Sequence, residues 1–239
     1  MIVSTRHGAW CTRPNPASDG RQANHEIMKI PKQINVEYFR VAIFGSARVK
    51  YDDPHYKLIH TLAKMIAADG LDVVTGGGAG IMEAANKGHR EGRKDKKVHS
   101  YGLNIVLPKE QMANKHLDIK HEFKRFSERL DFFMYLSNVV VVAPGGIGTM
   151  LELFYTWQLV QVQHTCNIPI ILLGPMWPPF IKWMEKWPLK KKFIDKEDMH
   201  HIFLADNCRE AMKVIKKTNE EFKKGNPDFC KNYQKYKIN

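Results

Sequence analysis

No two of the four cysteines, Cys11, Cys166, Cys208 and Cys230, stand at metal-ligand spacing, and their wide separation gives no disulfide framework. The histidines, among them His99, His116, His121 and His164, also lack ligand spacing, so no metal is expected. No apolar run approaches the roughly 18 residues of a membrane helix; the longest, such as 139–142 and 168–173, fall far short. The opening residues are too polar and broken for a signal h-region. Internal repeats and low-complexity tracts are missing as well. These absences lead to the expectation of a soluble, cytoplasmic globular chain with no membrane partner.

What is present is enough apolar material, 44% of 239 residues, to bury a full core. The formal charge of +12 raises the question of a nucleic-acid partner. The lysines crowd the last third, but Lys213, Lys216, Lys217, Lys223 and Lys224 are interleaved with Glu210, Glu220 and Glu221 on a predicted helix. That pattern fits an ordinary solvated face, so nucleic acid is the disfavoured reading. Residues 1–35, with three prolines and little periodicity, are expected to form a peripheral arm. A single domain is expected over 36–225, followed by a polar tail at 226–239.

Within that domain, strand and helix signals alternate. Strands are predicted at 38–44, 72–75, 99–107, near 119–125, at 138–143, 168–173 and 202–205. Helices are predicted at 54–69, 79–91, 127–137, 148–164, 177–187 and 207–224. Pro108, Pro169 and Pro175 fall at element boundaries, where a missing N–H does least harm. Alternation of this kind predicts an α/β fold, a Rossmann-like doubly wound parallel sheet in three α/β/α layers.

Three of the strands run into small-residue turns. The most informative is Pro144-Gly145-Gly146-Ile147-Gly148-Thr149-Met150-Leu151-Glu152, which follows the valine run 139–142. Its glycines let backbone N–H groups approach an anion, and the first turn of the next helix adds unpaired donors and a positive dipole end. Thr149 and Glu152 share a helix face turned toward that turn. A carboxylate there would repel a phosphate, so it is expected to serve a different part of the ligand, where positive charge develops or a water must be activated. The second turn is Gly76-Gly77-Gly78-Ala79-Gly80, leading into Ile81 and Met82. The third is Gly45-Ser46-Ala47-Arg48. In an open parallel sheet such turns meet at the carboxyl edge, where ligands bind at the switch point.

The segment Ser127-Glu128-Arg129 precedes the valine strand, and Ser127 reads as a helix start. A helix antiparallel to its strand would bring Arg129 near the phosphate turn, where it could grip phosphate or ribose or pair with Glu152. The competing reading is a surface arginine paired with Glu128 or Asp131.

The pattern Pro-Gly-Gly-x-Gly-Thr-x-x-Glu at 144–152, with Arg129 at the matching distance before it, resembles the LOG (Lonely Guy) nucleoside 5′-monophosphate phosphoribohydrolases. The turns at Gly45-Ser46 and Gly76 to Met82 resemble the family's other nucleotide-contacting turns, so the likeness covers about residues 38–205. It implies hydrolysis of the N-glycosidic bond of a nucleoside 5′-monophosphate, AMP-like or a cytokinin riboside monophosphate, to free base and ribose 5-phosphate. Arg129 and Glu152 would be catalytic. Gly45, Ser46, Gly77, Gly78, Gly80, Met82, Asn104, Gly145, Gly146, Gly148 and Thr149 would bind substrate, with no cofactor. Many members carry Arg-Lys and Glu-Glu where this chain has Arg129-Leu130 and Leu151-Glu152; the departure bears on the base more than on the reaction. Residues 100–108 resemble a longer bacterial branch, in which Asn104 could meet the ligand; its other reading is a strand-edge asparagine. Arg48 and Glu83 are further near-site candidates. An older family label, lysine decarboxylase, finds no support, because no lysine sits in any of the three turns.

Two other functions stay open on the same kind of sheet. One is a non-catalytic nucleotide- or molybdenum-cofactor carrier or a single-stranded DNA-binding module, as in DNA-processing protein A. The other is a nucleotide sensor that uses its arm. A homodimer is expected, partly from the resemblance and partly because Leu153, Phe154, Trp157, Leu159 and Val160 give the helix after the motif a wide apolar surface.

Overall fold

The computed structural model describes residues 38–94, 97–106, 112–165 and 167–224, so the arm and tail expected at the two ends lie outside the described residues. One sheet of seven parallel strands has the order β4-β3-β2-β1-β5-β6-β7. The strands are β1 (Arg40–Phe44), β2 (Asp72–Thr75), β3 (Ser100–Ile105), β4 (Ile119–Phe123), β5 (Val139–Val142), β6 (Ile170–Leu173) and β7 (Ile202–Ala205). The helices are α1 (Pro54–Ala68), α2 (Ile81–Gly92), α3 (Phe126–Leu136), α4 (Ile147–Gln161), α5 (Trp177–Met184) and α6 (Cys208–Lys223).

The period-2 alternation of side chains divides the core into two layers. Ala42, Phe44, Val140, Val142, Ile170 and Leu172 face a cluster that takes Phe133 from α3, Leu153 and Trp157 from α4 and Trp177 from α5. Val41, Ile43, Val139, Val141, Ile171 and Leu173 face the opposite cluster, built on Ile59, Leu62 and Ile66 of α1, Ile81 and Ala85 of α2, and Ala211 and Ile215 of α6. The doubly wound three-layer arrangement expected from the alternation is therefore the fold. Among the described residues no helix is long and apolar enough to cross a membrane.

Boundaries differ from expectation where local chemistry overrides the pattern. Helix α3 starts at Phe126 with Arg125 at the cap position and no side-chain cap, so Ser127 lies inside the helix rather than at its start. After α5 the chain continues as one turn of π-helix, Glu185–Leu189, containing Pro188, and a 3₁₀ turn at Glu197–His201 precedes β7. Neither short turn has a periodic signature.

His89 of α2 is fully buried, with Nε2 3.0 Å from the Leu71 carbonyl oxygen. Burial pulls its pKa from 6.5 to about 4, so the folded state refuses a proton that the unfolded chain accepts. This contribution to stability is complete above pH 6.5 and is lost as pH falls toward 4, at about 1.4 kcal/mol per unit and up to about 3 kcal/mol in total. Urea unfolding at about pH 7 and about pH 4 is expected to show a smaller acid loss in His89→Gln than in the parent. An unchanged acid loss in the variant would refute the assignment.

Candidate active site

Strands β1 and β5 are neighbours, but their connections leave on opposite sides: α1 returns to β2, and α4 returns to β6. Their carboxyl ends thus part at the switch point. The two turns that emerge there are joined by the Ser46 N–H, which donates to the Pro144 carbonyl oxygen at 3.2 Å. A third turn is fastened to them by the Ile81 N–H, which donates to Ser46 O at 3.0 Å. Between these turns lies a cleft of about 460 Å³.

One wall is the start of α4. Gly146 occupies the cap position without a side-chain cap, and the Met150 N–H donates to Gly146 O at 3.0 Å. The N–H groups of Ile147, Gly148 and Thr149 open the helix with no acceptor among the described residues, beside exposed backbone at 146–148. Three free donors and the positive end of a fifteen-residue helix favour an anion here. Gly145 supports this wall from behind, since a Cβ on it would stand 2.1 Å from Thr149 Oγ1. Only glycine lets the turn press against the buried threonine.

One helical turn further, Glu152 meets Arg129 of α3, with Nη2 2.6 Å from Oε1. The two side chains are only 12% and 11% exposed. The surface pairings that competed for Arg129 are taken otherwise: Arg125 reaches Glu128 at 3.7 Å, and Asp131 accepts from the Tyr155 hydroxyl. The guanidinium lies 5.5 Å from the Phe133 ring centre and 5.8 Å from that of Phe126, and its Nε is buried without a partner. Burial pushes the Glu152 carboxyl up to about 7, against the pull of Arg129. Burial likewise lowers the Arg129 pKa, against the pull of Glu152. The pair therefore holds a high-energy carboxylate in a nearly dry place.

The lining also includes Gly76, Met82, Asn104 and Phe126. Asn104 is 7% exposed, and its Oδ1 has no hydrogen-bond partner. Gly77 makes room for it, since a Cβ there would lie 2.3 Å from that oxygen. Of the residues expected to bind substrate, Gly45, Ser46, Met82, Asn104, Gly146, Gly148 and Thr149 line the cleft together with Arg129 and Glu152. Gly77, Gly78, Gly80 and Gly145 are not part of that lining, and Gly80 lines the neighbouring pocket. Arg48 joins the rim, whereas Glu83 faces a neighbouring pocket.

Sequence reasoning missed Asn114. Its Nδ2 donates to Gly77 O, Gly78 O and Asn86 Oδ1 at 3.1, 2.9 and 2.8 Å, and its backbone N–H donates to Gly77 O at 2.9 Å. The glycine turn is thus held by an asparagine from a distant connection. The only local signal is its Asx turn, in which Oδ1 accepts from the His116 N–H at 3.1 Å. Ile105, Phe126 and Ile147 also line the cleft without having been singled out. Among the described residues no cluster of histidine, cysteine and carboxylate could hold a metal ion.

Comparison with known proteins places the chain among relatives. A curated pyrimidine/purine nucleotide 5′-monophosphate nucleosidase of Escherichia coli is 23% identical over 62% of this chain and 34% of its own length. The chain thus spans about a third of that relative. The molybdenum cofactor binding protein of Rippkaea orientalis shares the fold, with a TM-score of 0.57 at 18% identity over 75% of this chain and 96% of its own. The molybdenum cofactor carrier protein of Chlamydomonas reinhardtii does so with a TM-score of 0.56 at 20% identity, over 77% and 99%. A family model described as possible lysine decarboxylase matches residues 82–215. A decarboxylase using a lysine Schiff base would need that lysine in the cleft, and none lines it. Through that match and its glycine motif, the chain belongs to the family carrying this description, the LOG family.

Proposed function

We propose that the chain hydrolyses the N-glycosidic bond of a nucleoside 5′-monophosphate, AMP-like or a cytokinin riboside monophosphate, giving free base and ribose 5-phosphate. The observation that carries this reading is the Arg129–Glu152 pair, set one helical turn beyond the free N–H groups that open α4, in one cleft. A carrier needs the anion seat but not the buried carboxylate. The distant likeness to a nucleotide 5′-monophosphate nucleosidase supports the same reading.

In this reading the 5′-phosphate sits on the backbone donors of 146–149, and that remote binding energy presents C1′ to Glu152. As the C1′–N bond breaks, its electron pair leaves with the base and positive charge spreads over C1′ and the ring oxygen. The Glu152 carboxylate faces that charge and accepts a proton from the water that attacks C1′; the proton then passes to the nitrogen of the departing base, which leaves neutral and returns Glu152 to its carboxylate. Arg129 holds the carboxylate in position. Asn104 offers its orphan oxygen to a donor on ribose or base.

Chromatography of free base released from AMP, with adenosine as the phosphate-free control, tests the reading. Adenine from AMP alone is expected, with the rate reduced about 10²- to 10⁴-fold in Glu152→Gln. Binding without base release from AMP, other purine monophosphates or cytokinin nucleotides would overturn hydrolysis in favour of a carrier. Gly145→Ala is expected to raise KM for AMP by displacing Thr149.

The active form has Glu152 ionised, so kcat/KM is expected to fall on the acid side with a midpoint near 7, above the phosphate's second ionisation at about 6. In Arg129→Met the cation that holds the carboxyl pKa down is gone, so that midpoint is expected to move upward. A midpoint that stays in place would separate the limb from Glu152.

We also propose a homodimer. Leu153, Trp157 and Val160 are buried in the protomer core, but Ile147, Leu151 and Phe154 are 91%, 45% and 44% exposed on one stripe of α4. Light scattering is expected to give a dimer at micromolar concentration and a monomer for Phe154→Glu. A monomeric parent would overturn the assignment.

A further inference from the structure

A second cavity, of about 530 Å³, lies next to the nucleotide cleft on the far side of the Ser46–Arg48 segment. Its walls come from the loop after β1, the first turns of α2 and the residues Lys115 and His116 before β4. Four permanent cations line it: Arg48, Lys50, Lys87 and Lys115. The single carboxylate in the lining is Glu83, whose Oε1 stands 3.9 Å from His116 Nε2 rather than on a lysine. Three lysines elsewhere on the surface reach acids: Lys216 reaches Asp69 at 2.9 Å, Lys120 reaches Glu122 at 2.6 Å and Lys224 reaches Glu221 at 2.7 Å. None of the four cations in the pocket forms an ion pair with an acid among the described residues. Gathering like charges in a concavity is unfavourable unless an anion offsets it.

We infer that this pocket is a second ligand site, separate from the nucleotide cleft, for a small oligophosphate anion. Four cations against one carboxylate exceed what a monophosphate dianion would neutralise. The pocket recognises phosphates rather than bases. Its exposed ring, Tyr51, already carries the Lys87 ammonium 4.7 Å from its centre and packs on Tyr56 at 5.1 Å, so that stacking platform is taken. Arg48 belongs to both rims, so an occupant here would also touch the mouth of the cleft.

Calorimetric titration of the whole chain with inorganic tripolyphosphate, and separately with ADP, tests the site. Single-site binding of tripolyphosphate is expected, weaker at higher salt, and unaffected by Gly145→Ala in the neighbouring cleft. Lys87→Met combined with Lys115→Met is expected to weaken it at least about tenfold, since contacts to charged groups carry the affinity. Glu83→Gln removes the one carboxylate among the described lining residues and is expected to tighten binding, a gain that a damaged fold could not produce. ADP bound in the pocket should respond to the same variants. The inference is overturned by absence of binding, by loss of binding in Gly145→Ala, by indifference to the lysine pair or by no gain in Glu83→Gln. Tighter binding of a single-stranded oligonucleotide that displaces tripolyphosphate would overturn it in favour of a nucleic-acid surface.

Discussion

The parting of β1 and β5 is the constraint on which the rest of the site depends. Because α1 and α4 return on opposite faces of the sheet, neither covers the carboxyl ends of these two strands. The gap is kept open but not loose: Ser46 is bonded through its N–H to Pro144 and through its carbonyl oxygen to Ile81, so one residue ties three turns together. Gly80, at φ +64°, sits against this knot, where a Cβ would come within 2.5 Å of Ser46 O. The turns around the cleft are therefore fastened by main-chain contacts.

Burial of the Arg129–Glu152 pair is unfavourable by itself. A carboxyl raised from 4.5 to about 7 represents on the order of 3 kcal/mol against the ionised form at neutral pH. The short bond to Arg129 does not cancel desolvation. Phe126 and Phe133 hold the guanidinium by their ring faces, which cannot satisfy the buried Nε. A pair kept solely for stability would be better replaced by apolar side chains. Its place in a cleft beside unpartnered helix donors is what supports the proposed hydrolytic role.

Much of this was legible in the sequence because the signals are local. Valine runs, glycine turns and helix periodicity reproduce every strand and helix of the sheet to within a few residues, and the spacing of Thr149 and Glu152 places them on one face of α4. The Arg129–Glu152 contact was one of two readings, and the packing of α3 beside α4 selected it. Asn114 was not legible. Its role comes from folding the connection before β4 over the glycine turn, a contact 37 residues apart that no periodicity encodes. The 3₁₀ turn was missed for a related reason: Trp157 and Gln161 of α4 bond Asp198 at 2.7 and 2.8 Å, so tertiary contacts hold that segment.

The charge design of the cleft follows from the same physics. An anion seat made of lysine would place a full positive charge near Glu152 and pull its carboxyl back toward the ordinary range. The seat proposed at 146–149 would use backbone donors and a helix end instead, which act over a short distance and leave Glu152 elevated. Three lysines line the second cavity across the Ser46–Arg48 segment, and of the cations only Arg48 reaches both. Separation of fixed cations from the buried carboxylate lets one sheet edge carry a group poised near neutrality and a strongly positive pocket side by side.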